Sequence, residues 1–206
     1  MKSSVIFFFL MVTVVSASAQ TIYDNYISAT WNYNLPLNNT DFVGKGTAAG
    51  FLVGFRRKID NRLYTGIDFN YVVYNSYHAR QTMVVDNGAT TTDMYNYQYT
   101  YGFTLNGDYV FRPFKKLMPF AGLGVGFTSN AYKTFYNVFN SEDNRLGLLV
   151  RPQAGALLKI GKESRMAFTG VVQYDYSSAA STQFSISGMS SVAFRLGVAI
   201  NISDKE

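Results

Sequence analysis

His78 is the single histidine of the chain, and Ser76 stands two positions before it. On a strand that spacing puts both side chains on one face, as a hydroxyl nucleophile and its general base require. A third group must orient the imidazole. Asp68 shares the phase but lies ten residues earlier, about 33 Å along an extended chain. Asp86 and Asp93 approach only through a loop. Hydrolysis at His78 is therefore a weak reading, and a rim histidine is the plainer one. With no cysteine, thiol catalysis, disulfides and zinc–thiolate sites are excluded, and one histidine argues against a His/Cys metal site. The glycines at 122, 124 and 126 invite comparison with a phosphate cradle. Nucleotide loops lead into a helix, and here the two-residue alternation runs on, so no cofactor is implied.

A second set of residues shares one phase of that alternation: Asp68, Asp108, Arg151, Gln153, Asp175 and Arg195, with Lys159 and Arg165 as further candidates. Charges spaced in this way on otherwise apolar strands point inward and must pair. Their positions depend on the elements that carry them.

Of 206 residues, 48% are hydrophobic, 17% aromatic and only 15% charged, against about 25% charged in soluble domains. That balance disfavours a disordered chain and a soluble helical one. Residues 1–19 read as a cleaved signal peptide: Lys2, an apolar run from Val5 to Val15, then Ala17-Ser18-Ala19 as the cleavage pattern. Residues 20–206 form the remaining domain. No later stretch approaches the roughly 18 apolar residues of a membrane helix.

From Tyr23 onward, apolar and polar residues alternate with period 2. The alternation predicts eight strands, over about residues 23–34, 46–56, 62–78, 94–111, 117–128, 145–160, 165–177 and 185–203. The fourth is clearest, with Tyr95, Tyr97, Tyr99, Tyr101, Phe103, Leu105, Tyr109 and Phe111 on one face. Asn96, Gln98, Thr100, Gly102, Thr104, Asn106 and Asp108 share the other. In the second strand Thr47, Ala49, Phe51, Val53 and Phe55 are expected to face outward, and in the eighth Ile186 joins Val192, Phe194, Leu196 and Val198. A tilted bilayer crossing takes about 9–11 residues, and backbone groups in lipid must all be paired, so the sheet must close. Tyr33, Tyr71, Tyr95, Tyr97 and Tyr176 fall at one level, and Phe55, Tyr109, Phe111 and Phe114 at the other, as two interface girdles would. Short links at 57–61, 112–116 and 161–164 alternate with long ones at 35–45, 79–93, 129–144 and 178–184. The expectation is an all-β, eight-stranded antiparallel up-and-down transmembrane β-barrel, with the short turns periplasmic and the long loops extracellular.

Two segments carry a family likeness. Arg195-Leu196-Gly197-Val198-Ala199-Ile200-Asn201-Ile202 resembles the terminal signal read by the barrel assembly machinery. It departs from that pattern in ending on Ser203-Asp204-Lys205-Glu206 in place of an aromatic residue. Leu117-Met118-Pro119-Phe120-Ala121-Gly122-Leu123-Gly124-Val125-Gly126-Phe127 resembles a strand of small outer-membrane barrels of the OmpA, OmpX and OmpW kind. The resemblance implies the fold and a place in the outer membrane of a Gram-negative bacterium. Members include anchors, adhesion and surface-defence proteins, narrow pores and a few lipid-modifying enzymes that use Ser/His pairs, so activity stays open.

Ten of the 17 Lys and Arg left once Lys2 is removed flank the short turns: Arg56, Arg57, Lys58 and Arg62; Arg112, Lys115 and Lys116; Lys159, Lys162 and Arg165. This basic rim would meet anionic phospholipid headgroups. The pI near 9.3 is no argument for nucleic acid. Among the long loops, 79–93 and 129–144 offer the largest contact surfaces. Tyr132, Phe135, Tyr136, Val138 and Phe139 make the latter unusually apolar, either as a sticky patch or as strands continuing above the membrane, with the second favoured. The leading expectation is a non-enzymatic, plugged barrel acting as surface anchor or interaction protein through its loops. A narrow ion or small-solute pore is the alternative, and a lipid-modifying enzyme the third reading.

Overall fold

The structure, a computed structural model, describes residues 24–85, 88–113, 115–136, 139–161 and 164–203. The expected signal peptide lies outside them, as do Phe114, Val138 and Lys162. Eight strands form a closed antiparallel barrel in sequence order: β1 (Asn25–Pro36), β2 (Gly50–Lys58), β3 (Leu63–Val85), β4 (Gly88–Val110), β5 (Leu117–Tyr136), β6 (Phe139–Lys159), β7 (Met166–Ser177) and β8 (Met189–Asn201). β1 and β8 close the ring, from Tyr26 opposite Asn201 to Pro36 opposite Ser191. A four-residue helix, α1 (Thr40–Val43), lies between β1 and β2.

The alternation has one consequence per face. Outside, Phe69, Phe103, Leu105, Val125 and Phe127 stand exposed on β3, β4 and β5, and Leu196 on β8. Water would penalise such a belt, and hydrocarbon does not. Inside, the lumen is filled in three layers. Nearest the short turns, Tyr26, Tyr64, Val110, Met118, Phe120, Leu157 and Val171 pack as an apolar floor. At the other end Phe42, Val43, Val72, Tyr74, Tyr132, Ile186 and Met189 make an apolar cap. Charged and amide side chains lie between them.

The strands differ from expectation where the chain leaves the membrane. Residues 79–93, expected as a loop, are largely strand, and 129–144 continue as strands, the favoured of the two readings of that link. β3 and β4 pair up to Val85 opposite Gly88, with an irregularity between His78 and Gln81. β5 and β6 pair up to Tyr136 opposite Phe139. A 23-residue strand tilted as in such barrels rises about 55–60 Å, against an apolar band of about 25 Å, so these hairpins project far beyond the lipid. The other two links fold inward. β2 starts at Gly50, later than expected, and Thr47 is buried, bridging to Asn34 and bonding Val73 O, where an outward side chain was expected. β8 starts at Met189, and Ile186 turns into the cap instead of out to lipid. In both cases a tertiary contact, hydrogen bonds for Thr47 and apolar packing for Ile186, outweighs the local two-residue phase.

Candidate functional site

The middle layer is built around Arg56, on β2. Its Nε donates to Asp108 Oδ2 on β4 at 2.5 Å, and its Nη1 and Nη2 to Asp68 on β3 at 2.5 and 3.1 Å. Asp108 also accepts from Gln153 Nε2 at 2.7 Å, and Gln153 Oε1 accepts from Arg195 at 2.8 Å. A second knot lies toward the cap. There Arg151 Nε and Nη2 grip Asp175 at 2.6 and 3.1 Å, and Nη2 also donates to Asn70 at 2.6 Å. Gln173 completes it with a bond to Asp175. All six residues expected in the interior set are thus in the lumen, linked strand to strand.

Glycine makes the layer possible. In register, Gly54 faces Asp68, Gly102 faces Asn70, Gly122 faces Asp108 and Gly124 faces Asn106. At each of the four, an added Cβ would collide with the side-chain oxygen of that partner. The missing side chain is what lets the polar one lie across the neighbouring strand.

Arg56 corrects the sequence reading, which set it in the basic rim. It is 5% exposed and belongs to the lumen. Its phase carried the signal: Gly50, Leu52, Gly54 and Arg56 alternate inward, and a guanidinium on that phase has carboxylates within reach. Lys159 is likewise buried at the lumen's lower end, while Arg165 is exposed at the turn. The rest of the described rim lies at the short-turn end: Arg57, Arg112, Lys115 and Lys116 are exposed, and Lys58 pairs with Asp24 at 3.1 Å. Arg62 donates to the Tyr109 hydroxyl at 3.0 Å.

Tyr132, expected as a loop contact, is fully buried in the cap. Its hydroxyl donates to Ala179 O at 2.9 Å and accepts from Asn130. It sits on the inward phase of β5, which continues unbroken to Tyr136. Phe135 and Phe139 face outward at 39% and 58% exposure, and Tyr136 is half-buried. Phe42 and Val43, passed over within a polar link, turn out to be cap residues, with the Phe42 ring edge-on to Tyr132. An apolar pair inside an Asn/Thr/Asp-rich segment was the available clue.

His78 and Ser76 are both half-buried. His78 Nε2 has no hydrogen-bond partner, Asp68 is held by Arg56, and Asp93 is engaged by the Tyr77 hydroxyl. Among the described residues no Ser76–His78–Asp relay is assembled, and Asp86 lies outside them.

Two cavities of about 20 Å3 flank the charged layer. One touches Arg56, Asp108, Arg195 and Tyr26; the other touches Asn70, Arg151, Asp175 and Met189. Each has room for about one water. Arg195, which lines the first, and Arg151, which lines the second, each keep a buried nitrogen without a protein partner (Nε and Nη1), so water fits there better than an apolar void.

A closed sheet, an apolar belt and a polar, side-chain-filled lumen define the class: a small eight-stranded transmembrane β-barrel of the bacterial outer membrane. No protein-family model matches the chain, and no curated protein matches it in sequence. Among solved structures, Neisserial surface protein A superposes with a TM-score of 0.54 at 14% identity, over 89% of this chain and all of that one. OprG of Pseudomonas aeruginosa gives 0.44 at 12% identity over 87% of this chain and 96% of its own. Ail, the attachment invasion locus protein of Yersinia pestis, gives 0.42 at 14% over 85% and 95%. At such identities the likeness of the first is one of fold.

Proposed function

We propose that this barrel is a non-enzymatic surface anchor that meets its partner through the two hairpins projecting beyond the outer leaflet. The observation that carries the reading is the sealed lumen. A hydrogen-bonded charged layer lies between an apolar floor and an apolar cap, and the spaces beside it hold about one water each. Ions crossing it would have to break buried pairs inside a low-dielectric wall. The work is then left to the outside of the molecule, where β3–β4 and β5–β6 project, the latter presenting Phe135, Tyr136 and Phe139. The test is conductance of the refolded protein in a planar bilayer, with insertion checked by heat-modifiable gel mobility. A silent bilayer is expected. Steady openings altered by charge reversal at Arg151 or Asp108 would replace the anchor with the narrow-pore reading, which the two wet cavities favour over enzymatic chemistry.

The same reading assigns the basic rim to anionic headgroups of the inner leaflet, at about 1 kcal/mol for each well-placed cation. Lys115→Glu with Lys116→Glu should slow insertion into anionic vesicles and leave zwitterionic ones unaffected; equal rates in both would remove the assignment. Delivery by the barrel assembly machinery is ascribed to Arg195–Ile202, whose Leu196 and Ile200 point outward from β8. Replacing both with Ser should impair assembly in cells, and normal assembly would count against it.

A further inference from the structure

We propose that the outer wall of β4 and β5, just above the lipid belt, binds the saccharide headgroup of a glycolipid in the surrounding leaflet. This goes beyond the anchor reading and rests on the orientation of the barrel, not on any partner of the hairpin tips.

Tyr95, Tyr97, Tyr99 and Phe135 line an open groove of about 520 Å3. The Tyr97 and Tyr99 rings are nearly parallel, 16° apart with centroids at 6.2 Å, and Phe135 stands edge-on to Tyr97 at 5.8 Å. Flat, half-exposed rings of this kind suit the C–H faces of a pyranose.

One edge of the groove is polar. Lys133 Nζ lies 5.9 Å from the Tyr99 ring centroid and 2.8 Å from Glu142 Oε2, and Asn144 donates to Glu142 Oε1 at 3.1 Å. The ammonium is already neutralised by its carboxylate, so the edge is a poor phosphate site. It does offer both donors and acceptors, which hydroxyl groups use together.

Placement identifies the occupant. On β4, ten residues up from Tyr109 end at Tyr99, about the length of one tilted crossing. Tyr101, Phe103 and Leu105 below belong to the lipid belt, whereas Tyr97, Lys133 and Phe135 stand at headgroup level. The groove is confined to the tall side of the barrel, since β7 ends at Ser177 and β8 begins at Met189. It is therefore a local continuation of the belt and not part of an even girdle. A glycolipid covers both surfaces with one molecule, acyl chains below and sugars above.

The experiment uses the full barrel in phosphatidylcholine nanodiscs doped with either core-bearing rough lipopolysaccharide or lipid A without core sugars. Glycolipid retained on extraction is counted by native mass spectrometry. Wild type should retain the core-bearing lipid at least tenfold over lipid A. Tyr97→Ser with Tyr99→Ser should abolish the difference at unchanged heat-modifiable mobility. Tyr109→Ser, at the opposite rim, should preserve it, as should removal of the core phosphates. Equal retention of both lipids by wild type would overturn the proposal, as would an unaffected groove variant. Loss on dephosphorylation, or equal affinity for the lipid-free core oligosaccharide, would overturn it too.

Discussion

Replacing Arg56 with leucine removes the donor to both Asp68 oxygens and one of the donors to Asp108. Asp108 keeps its bond from Gln153, but Asp68 has no further protein donor among the described hydrogen bonds. Both carboxylates are at most 2% exposed, with apolar layers above and below. Breaking a buried pair by removing one partner costs about 3–5 kcal/mol. That is about two to three and a half decades in the unfolding constant. Arg56→Lys keeps the charge but cannot span two carboxylates on different strands, and should cost about 1–3 kcal/mol. The double change Arg56→Leu with Asp68→Asn removes one stranded charge and should recover part of the loss. The assay is equilibrium urea unfolding in phospholipid vesicles, followed by fluorescence of Trp31, the single tryptophan, outward-facing on β1. A cost under about 1 kcal/mol for Arg56→Leu, with native gel mobility, would refute the claim that this guanidinium holds the layer together.

Gly122→Ala places a Cβ against the Asp108 carboxylate and should cost about 1–3 kcal/mol. Gly107→Ala, with open space around it, should stay within about 0.5 kcal/mol in the same unfolding assay. Tyr132→Phe deletes the bond to Ala179 O and should cost about 1 kcal/mol, read as faster amide exchange over residues 178–188. Asp143, outside the lipid, is held below the usual aspartate range by the Ser181 hydroxyl and by Arg145. Its folded-state value is depressed, so its contribution is complete above the ordinary aspartate value of 3.8 and fades as the pH falls below it. Protease sensitivity of 178–188 should rise over that acid range in wild type and be independent of it in Asp143→Asn.

The architecture was legible because a bilayer leaves a chain few options. Period-2 alternation in eight separate segments between residues 23 and 203, with belt-length apolar faces and turn-type breaks, admits a closed barrel and little else. The inward phase located Asp68, Asp108, Arg151, Gln153, Asp175 and Arg195 on the strand pattern alone. The same logic gave strand extension for 129–144, where Phe135 and Phe139 keep the outward phase. It missed the extension of 79–93, where Gln81, Thr82, Thr90, Thr91 and Thr92 carry no apolar alternation and pairing follows from the neighbouring ladder.

What the sequence by itself determined is which face each strand residue takes, since that depends only on the parity of its position in an extended chain. What only the tertiary structure decided is which inward residues meet. In the sequence Arg56 stands among the basic residues flanking a turn, its two carboxylates 12 and 52 positions away, and only the register of β2, β3 and β4 brings them together. The cap follows the same rule. Phe42 and Tyr132 are 90 residues apart in sequence and in ring contact across the mouth, a contact that exists only once the sheet has closed around them.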